Sequence, residues 1–116
     1  DAGFVSSMFE DEKQLEILSR RINSHVPANE PLIIAGDFND WRGNAERHLH
    51  DDLGVEEAYK NIHGGYARTF PARLPLLSMD RIYFRGLDIV DCHRLHGKPW
   101  SQLSDHTPLL AEFRIP

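Results

Sequence analysis

The chain has 116 residues, of which 41% are hydrophobic and 27% are charged, as expected for one globular domain with a modest core. Thirteen Lys and Arg against eighteen Asp and Glu give a net charge of -5. No basic run occurs, which argues against a protein that binds nucleic acid mainly through its phosphates. The single cysteine excludes an internal disulfide. No apolar stretch approaches the ~18 residues of a membrane helix, so we expect a cytoplasmic protein.

The first predicted element is a helix from Met8 to His25. Ser7 and Glu10 have the spacing of a capping box, in which each side chain bonds to the backbone at the helix start. Pro27 ends the helix. Apolar residues recur with helical spacing and predict one buried stripe: Leu15, Leu18, Ile22 and Val26.

The stretch from Pro31 to Trp41 changes abruptly from apolar to polar. Leu32–Ala35 is a short run rich in β-branched residues, which predicts a strand buried on both faces. Asp37, Asn39 and Asp40 follow directly after it. Because α/β sheets bind ligands beyond the carboxyl ends of their strands, this pattern indicates a site. The alternative is that these polar residues are only turn chemistry that closes the strand.

A second helix is predicted at Asn44–Leu53, with Asn44 as its N-cap and Gly54 after its end. The segment contains histidines and aspartates that suggest a metal cluster. Their spacing matches no zinc signature, and exposed side chains in an acidic segment are the commoner outcome. The same applies to a His-x-x-His pair later in the chain. The residues concerned are His48, His50, Asp51, Asp52, His93 and His96.

The second half of the chain predicts four strands. Tyr66–Pro71 is a short one that a proline ends. Ser78–Phe84 and Leu87–Cys92 are separated only by Arg85 and Gly86, which predicts an antiparallel hairpin. Cys92 is expected to be a buried, inert thiol. The last strand, Pro108–Ile115, alternates apolar and other residues and therefore has one core face.

Polar residues also precede these later strands. Asp80 lies near the start of one, and Ser104, Asp105 and His106 precede the last. An imidazole has a pKa suited to proton transfer, and a carboxylate can hold its tautomer. If neighbouring strands are antiparallel, these residues and Asp37 meet at one sheet edge. Ser-Asp-His-Thr-Pro is also a plausible turn, but the combination indicates a hydrolytic site.

Three motifs in this order, Gly36–Asn39, Asp80–Ile82 and Ser104–His106, resemble the endonuclease/exonuclease/phosphatase superfamily. The segment Arg68–Ala72 looks closest to small bacterial members. The resemblance implies an α/β fold, a four-layer sandwich of two mostly antiparallel sheets with outer helices. Such a domain needs about twice this length, near 200–250 residues. We therefore expect residues 1–116 to be the C-terminal half of one domain.

The resemblance also implies the roles of particular residues in phosphoester hydrolysis with Mg²⁺ or Mn²⁺. Asp37 would activate the attacking water, and Asn39 would contact the phosphate. Asp105 would help to hold the cation. His106 would bond to the phosphate or act as the base, with Asp80 bonded to its ring.

Two family residues have no counterpart in this sequence. The principal metal-binding glutamate belongs to the N-terminal half, and no histidine precedes His25. The 116 residues alone should therefore bind metal weakly and turn over little. The alternative function is a catalytically dead member that acts as an interaction module.

The substrate class stays open at this point among a nucleic acid, a phospholipid head group and a sugar phosphate. Trp41 and Arg42, with Lys98 and Trp100, are candidate substrate contacts at the rim of the site. Half a sandwich would leave a sheet face uncovered, so self-association through that face is expected.

Overall fold

The computed structural model describes residues 3–9, 12–38, 44–73 and 79–116. Within them the strands form a four-stranded sheet, ordered β1-β2-β4-β3, and a two-stranded sheet of β5 and β6. The strands are β1 (Gly3–Phe9), β2 (Leu32–Phe38), β3 (Glu56–Glu57), β4 (Asp80–Arg85), β5 (Asp88–Arg94) and β6 (Leu109–Arg114). The helices are α1 (Glu12–His25), α2 (Asn44–Leu53), α3 (Ala58–His63) and α4 (Trp100–Leu103).

Strand β2 lies inside the larger sheet, parallel to β1 and antiparallel to β4. Alternate residues of a strand point to opposite faces. Leu32 and Ile34 accordingly pack in a core with α1 and α2, whereas Ile33 packs in a second cluster with residues of β5 and β6. The predicted burial of this strand on both faces is confirmed.

The two-stranded sheet packs against the opposite face of the larger sheet from α1 and α2. Phe84 of β4 contacts Phe113 of β6, with ring centroids 5.1 Å apart. Cys92 is fully buried in this layer, and burial raises the pKa of its thiol to about 11. The prediction of a buried thiol is confirmed, and the described residues form three layers: helices, sheet and sheet.

The outward face of the smaller sheet carries exposed apolar side chains. Val90 and Leu110 are 45% and 46% exposed. This is the face through which we expect self-association, which stays a prediction. Among the described helices, none combines the length and apolarity that crossing a bilayer requires.

The predicted start of the first helix is wrong. Residues from Gly3 to Phe9 form β1, and α1 begins only at Glu12. The reason is tertiary: β1 pairs with β2 along its whole length, so Ser7 lies in a ladder rather than at a cap. The end of the helix at His25 and its buried stripe are confirmed.

The predicted hairpin of Ser78–Phe84 with Leu87–Cys92 is also wrong. Strand β4 pairs with β2 and β3, whereas β5 pairs with β6 in the other sheet. Gly86, at a φ of 72°, lies between β4 and β5 where the chain changes sheet. A Cβ there would lie 2.9 Å from the Cα of Pro31, so glycine allows a close approach.

Tyr66–Pro71 is not a regular strand, because only Phe70 makes a bridge. Its backbone bonds instead to the loop before β6: Thr107 N–H donates to the Thr69 carbonyl at 2.7 Å. The helix at Asn44–Leu53 is confirmed to the residue. The final strand is confirmed at Leu109–Arg114, with alternate residues partly buried.

Candidate active site

Two carboxylates face each other at one end of the larger sheet. Asp37 in β2 and Asp80 in β4 are cross-strand partners, and directly opposed side chains lie on the same face of a sheet. Their alternation with Ile33 and Phe84 puts both carboxylates on the face that the smaller sheet covers. The strand register therefore brings together two acids that are 43 positions apart in sequence.

His106 reaches this pair from the loop before β6. Its Nδ1 is 2.5 Å from Asp80 Oδ2, and its Nε2 is 3.9 Å from Asp37 Oδ2. An ionised carboxylate only accepts hydrogen bonds, so Nδ1 donates to Asp80. In the neutral ring, Nε2 then carries a lone pair on the side of Asp37. The expectation that antiparallel strands bring Asp37 and Asp80 to one sheet edge is confirmed, but His106 precedes β6 of the other sheet, so the expectation of a single sheet for all three residues is wrong.

Thr69 makes two hydrogen bonds to Asp80. Its hydroxyl donates to Asp80 Oδ2 at 2.6 Å and accepts from the Asp80 N–H at 3.1 Å. Thr69 is fully buried. Next to it, the Phe70 ring packs on the His106 ring, with centroids 4.9 Å apart. Neither Thr69 nor Phe70 is predicted as a site residue from the sequence. The sequence feature that points to them is the segment Arg68–Ala72, which resembles small bacterial members of the family.

Asp37 has an unsatisfied oxygen. Its Oδ1 is buried and has no hydrogen-bond partner among the described residues. Burial, followed by the negative charge of Asp80, raises the pKa of Asp37, and His106 opposes this rise. Asp37 is therefore a stronger proton acceptor than an ordinary aspartate and has an oxygen available for a ligand.

An open cavity of about 270 Å³ adjoins Asp80 and His106. Gly36, next to Asp37 in β2, and Ser104 also line it. A substrate group in this cavity can therefore contact the imidazole that Asp80 orients.

The other predicted residues are not part of this cluster. Asp105 is exposed, and its carbonyl accepts a bond from the Ala72 N–H at 2.7 Å. Asn39, Trp41 and Arg42 lie outside the described residues. The roles assigned to all the site residues stay predictions.

The histidines considered for a metal site in the sequence have other surroundings. His48 and His50 are exposed on α2, as are Asp51 and Asp52 after them. His93 Nδ1 is 3.4 Å from Asp91 Oδ2 on β5, and His96 lines a separate cavity.

The cluster fits a hard divalent cation only in part. Oxygen ligands from carboxylates suit Mg²⁺ and Mn²⁺, and Asp37 Oδ1 is a buried oxygen without a donor in the described ranges. Those same ranges contain no group of three or more His, Cys, Asp or Glu side chains arranged to hold a metal. A complete ligand set therefore needs residues beyond those described.

Comparison with known proteins gives the family. The model of the endonuclease/exonuclease/phosphatase family matches residues 3–106. The uncharacterized protein YbhP of Escherichia coli K12 is 41% identical over 104 residues, which are 90% of this chain and 41% of that protein. A UPF0294 protein of Yersinia pseudotuberculosis is 36% identical over 106 residues, 88% of this chain and 35% of that protein. The chain thus spans about two-fifths of the length of these relatives.

The fold is shared with a solved structure. The crystal structure of the endonuclease/exonuclease/phosphatase from Bacteroides vulgatus superposes with a TM-score of 0.71 at 22% identity, covering 90% of this chain and 43% of that one. The predicted fold class, part of an α/β sandwich, is confirmed. With the family match over most of its length, the chain belongs to the endonuclease/exonuclease/phosphatase family.

Proposed function

We propose that this chain is the C-terminal half of a divalent-metal-dependent phosphoester hydrolase that acts on phosphodiesters. The observation that carries the proposal is the convergence of Asp37, Asp80 and His106 from three segments of the chain. A bare turn at each segment would not require that convergence.

In this proposal Asp37 accepts the proton of the attacking water. Its raised pKa and its unsatisfied Oδ1 support this role, because a base is most effective when its pKa approaches the working pH. His106 Nε2 is 3.9 Å from Asp37 Oδ2, too far for a direct hydrogen bond. Both groups can instead contact one small group between them, the water or a phosphate oxygen.

Asp80 is a positioning residue in this scheme. It holds His106 through Nδ1 and is itself held by Thr69. The ring is thereby kept in one orientation and one tautomer, as in other carboxylate–histidine pairs. When the phosphoryl group is transferred, the ring that also carries a proton on Nε2 can donate a hydrogen bond to a phosphoryl oxygen and stabilise charge there without reorganisation.

The proposed cofactor is Mg²⁺ or Mn²⁺, which when bound would polarise the phosphoryl oxygens and ease departure of the leaving group. Asp105 would supply a carboxylate oxygen to it. Asn39 would contact the phosphate, and Trp41 and Arg42 would contact the remainder of the substrate.

The test is hydrolysis of bis(p-nitrophenyl) phosphate with Mg²⁺ or Mn²⁺ by the full-length protein, because the relatives are much longer than this chain. Asp37→Asn and His106→Gln should each lower kcat by about 10²- to 10⁴-fold, the usual contribution of a general acid or base. Chelation with EDTA should abolish the activity, and added Mn²⁺ should restore it.

The chain offers a matched control in an exposed Asp–His pair, Asp91 and His93. Asp91→Asn and His93→Gln change the same residue types on β5 and should leave kcat within about twofold, as for surface changes. Wild-type rates in Asp37→Asn and His106→Gln would contradict the proposal. If the wild-type protein folds but hydrolyses no phosphodiester in either metal, the catalytically dead interaction module replaces the hydrolase.

A further inference from the structure

Three positively charged side chains, Arg73, Arg94 and Lys98, line a second cavity. This cavity has a volume of about 470 Å³ and is formed by the segment after β5, the start of α4 and residues 72–73. We call it the basic cavity. Its lining residues are Ala72, Arg73, Arg94, His96, Gly97, Lys98, Ser101 and Gln102.

The charge of the basic cavity contrasts with that of the whole chain. Arg73, Arg94 and Lys98 line it, with His96 as a further group that can become positive, and no described lining residue is acidic. The chain as a whole has a net charge of -5. Three cations in one concave site of an acidic protein focus a positive potential there, which attracts anions.

The cations are held in different ways. Arg94 Nη1 donates to the Arg68 carbonyl at 3.0 Å, which anchors the guanidinium while leaving it donors for a ligand, since it carries five. Arg73 and Lys98 are exposed. A fixed guanidinium flanked by two adjustable cations suits a phosphate group, which accepts several charge-assisted bonds at once.

Two segments connect the basic cavity to the candidate active site. In the first, Thr69 and Phe70 contact Asp80 and His106, and Ala72 and Arg73 line the basic cavity. The three residue-to-residue steps from Phe70 to Arg73 span at most about 10 Å when extended.

In the second segment, Ser101 and Gln102 line the basic cavity, and Ser104 and His106 line the cavity of the candidate active site. The bond from the Ala72 N–H to the Asp105 carbonyl joins the two segments. The basic cavity therefore lies next to the catalytic residues, within the reach of one small substrate.

We propose that the basic cavity is a subsite for a second phosphate group of the substrate. The inference rests on the proposed hydrolase function and narrows its substrate class: the scissile phosphoester lies at Asp37 and His106, and another phosphate of the same molecule binds Arg73, Arg94 and Lys98. The substrate is thus a phosphodiester that also carries a phosphomonoester group.

The first experiment measures binding alone, in the 116-residue chain. Inorganic phosphate is titrated at low ionic strength into the ¹⁵N-labelled chain, and the amide signals of Ala72, Gly97 and Ser101 are followed. Wild type should show saturable shifts. Arg73→Ala combined with Lys98→Ala should weaken phosphate binding by about tenfold, because two charge-assisted contacts are lost. Both side chains are exposed, so this variant should fold.

The control removes the same charge elsewhere. Lys13→Ala combined with Arg114→Ala changes two exposed cations that do not line the basic cavity and should leave phosphate affinity unchanged. Equal weakening in both double variants would mean a general charge effect and would overturn the subsite. Shifts confined to the amides around His106 would also overturn it, because phosphate would then bind only at the candidate active site.

The second experiment tests the substrate assignment in the full-length protein with two esters that differ by one phosphate. They are thymidine 5′-(p-nitrophenyl phosphate) and the same ester with a 3′-phosphate. The ester with the 3′-phosphate should have the higher kcat/KM. Arg73→Ala with Lys98→Ala should lower the ratio of its kcat/KM to that of the ester without the 3′-phosphate by about tenfold. An unchanged ratio would overturn the assignment. Phosphate binding without hydrolysis of either ester would reject the proposed function, whereas hydrolysis without phosphate binding would reject only the subsite.

Discussion

Two of the aspartate–histidine pairs among the described residues join the same two atoms, Asp Oδ2 and His Nδ1, but differ in distance and exposure. In one, Asp80 Oδ2 is 2.5 Å from His106 Nδ1, with the two side chains 25% and 30% exposed. In the other, Asp91 Oδ2 is 3.4 Å from His93 Nδ1, with 51% and 42% exposed. The first distance is that of a strong hydrogen bond, whereas the second exceeds the normal range.

Their surroundings explain the difference. The carboxylate of Asp80 is bonded by the buried hydroxyl of Thr69, and the ring of His106 packs on Phe70 and faces Asp37. The exposed Asp91 carboxylate instead accepts a bond from the backbone N–H of the next residue, Cys92. The comparison teaches that buried neighbours, rather than an acid beside an imidazole, distinguish a candidate catalytic pair from a surface pair.

The largest expected effect comes from removing the negative charge of Asp80, which bonds to His106. Asp80→Asn should lower kcat for bis(p-nitrophenyl) phosphate by about 10²- to 10⁴-fold in the full-length protein, because His106 loses the group that fixes its tautomer. The ¹⁵N shifts of the His106 ring should show the proton leaving Nδ1. Asp91→Asn serves as the control. A similar loss of activity in both variants would erase the distinction between the pairs.

Metal binding should also separate the two regions. Mg²⁺ or Mn²⁺ titrated calorimetrically into the 116-residue chain should bind weakly, and Asp105→Ala should weaken binding further by about tenfold, as expected for loss of an oxygen ligand. Asp91→Ala should not change it. Tight binding to the wild-type chain would show a complete metal site within these residues, contrary to the expectation that upstream residues complete it.

A smaller effect is expected from the residue that fixes Asp80. Thr69→Val keeps the shape of the side chain but removes the bonds to the Asp80 carboxylate and N–H. It should lower kcat by about tenfold, and the free energy of unfolding by about 1–3 kcal/mol, because buried polar groups lose their partners. Thr69→Ser, which restores the hydroxyl, should recover most of both. Failure of serine to rescue kcat would mean that packing, rather than hydrogen bonding, positions Asp80.

The smallest expected effect is a gain in stability. The pKa of Asp37 is raised above its ordinary value of 3.8 by burial and by Asp80, so its ionised form destabilises the folded chain at neutral pH. Asp37→Asn should therefore raise Tm at pH 7 by about 2–5 °C. The gain should vanish as the pH falls below 3.8, where the carboxyl is protonated in both the folded and unfolded chains. Asp91→Asn, on the surface, should show no such gain, and a lower Tm for Asp37→Asn at pH 7 would contradict the assignment.

Local sequence was sufficient for the elements whose signals agree with their packing. The stripe of Leu15 and Ile22 predicts the face of α1 that is buried, and the apolar run Leu32–Ala35 predicts a strand with two covered faces. The predicted helix start within β1 is wrong, because Ser7 and Glu10 have the spacing of a capping box, and only pairing with β2 overrides that local preference.

The residue types of Asp37, Asp80 and His106 indicate chemistry in the sequence, although polar residues at strand ends are also common in turns. Their occurrence together, in the order of the family motifs, favours a site. How these three residues lie relative to one another in the fold could not be predicted, because β2 and β4 belong to one sheet and β6 to another. Thr69 carries no chemical signal of its own, so only the fold reveals its bonds to Asp80.

By itself the sequence determined the α/β class, the strand ends that carry acids, and the family resemblance, because these depend on periodicity and on residue type at turns. Tertiary structure alone decided that buried neighbours hold the Asp80–His106 pair, but not the Asp91–His93 pair, and that Arg73, Arg94 and Lys98 line one cavity. The physical reason is that hydrogen-bond distance, burial and charge density depend on contacts between residues distant in the chain, which no local pattern encodes.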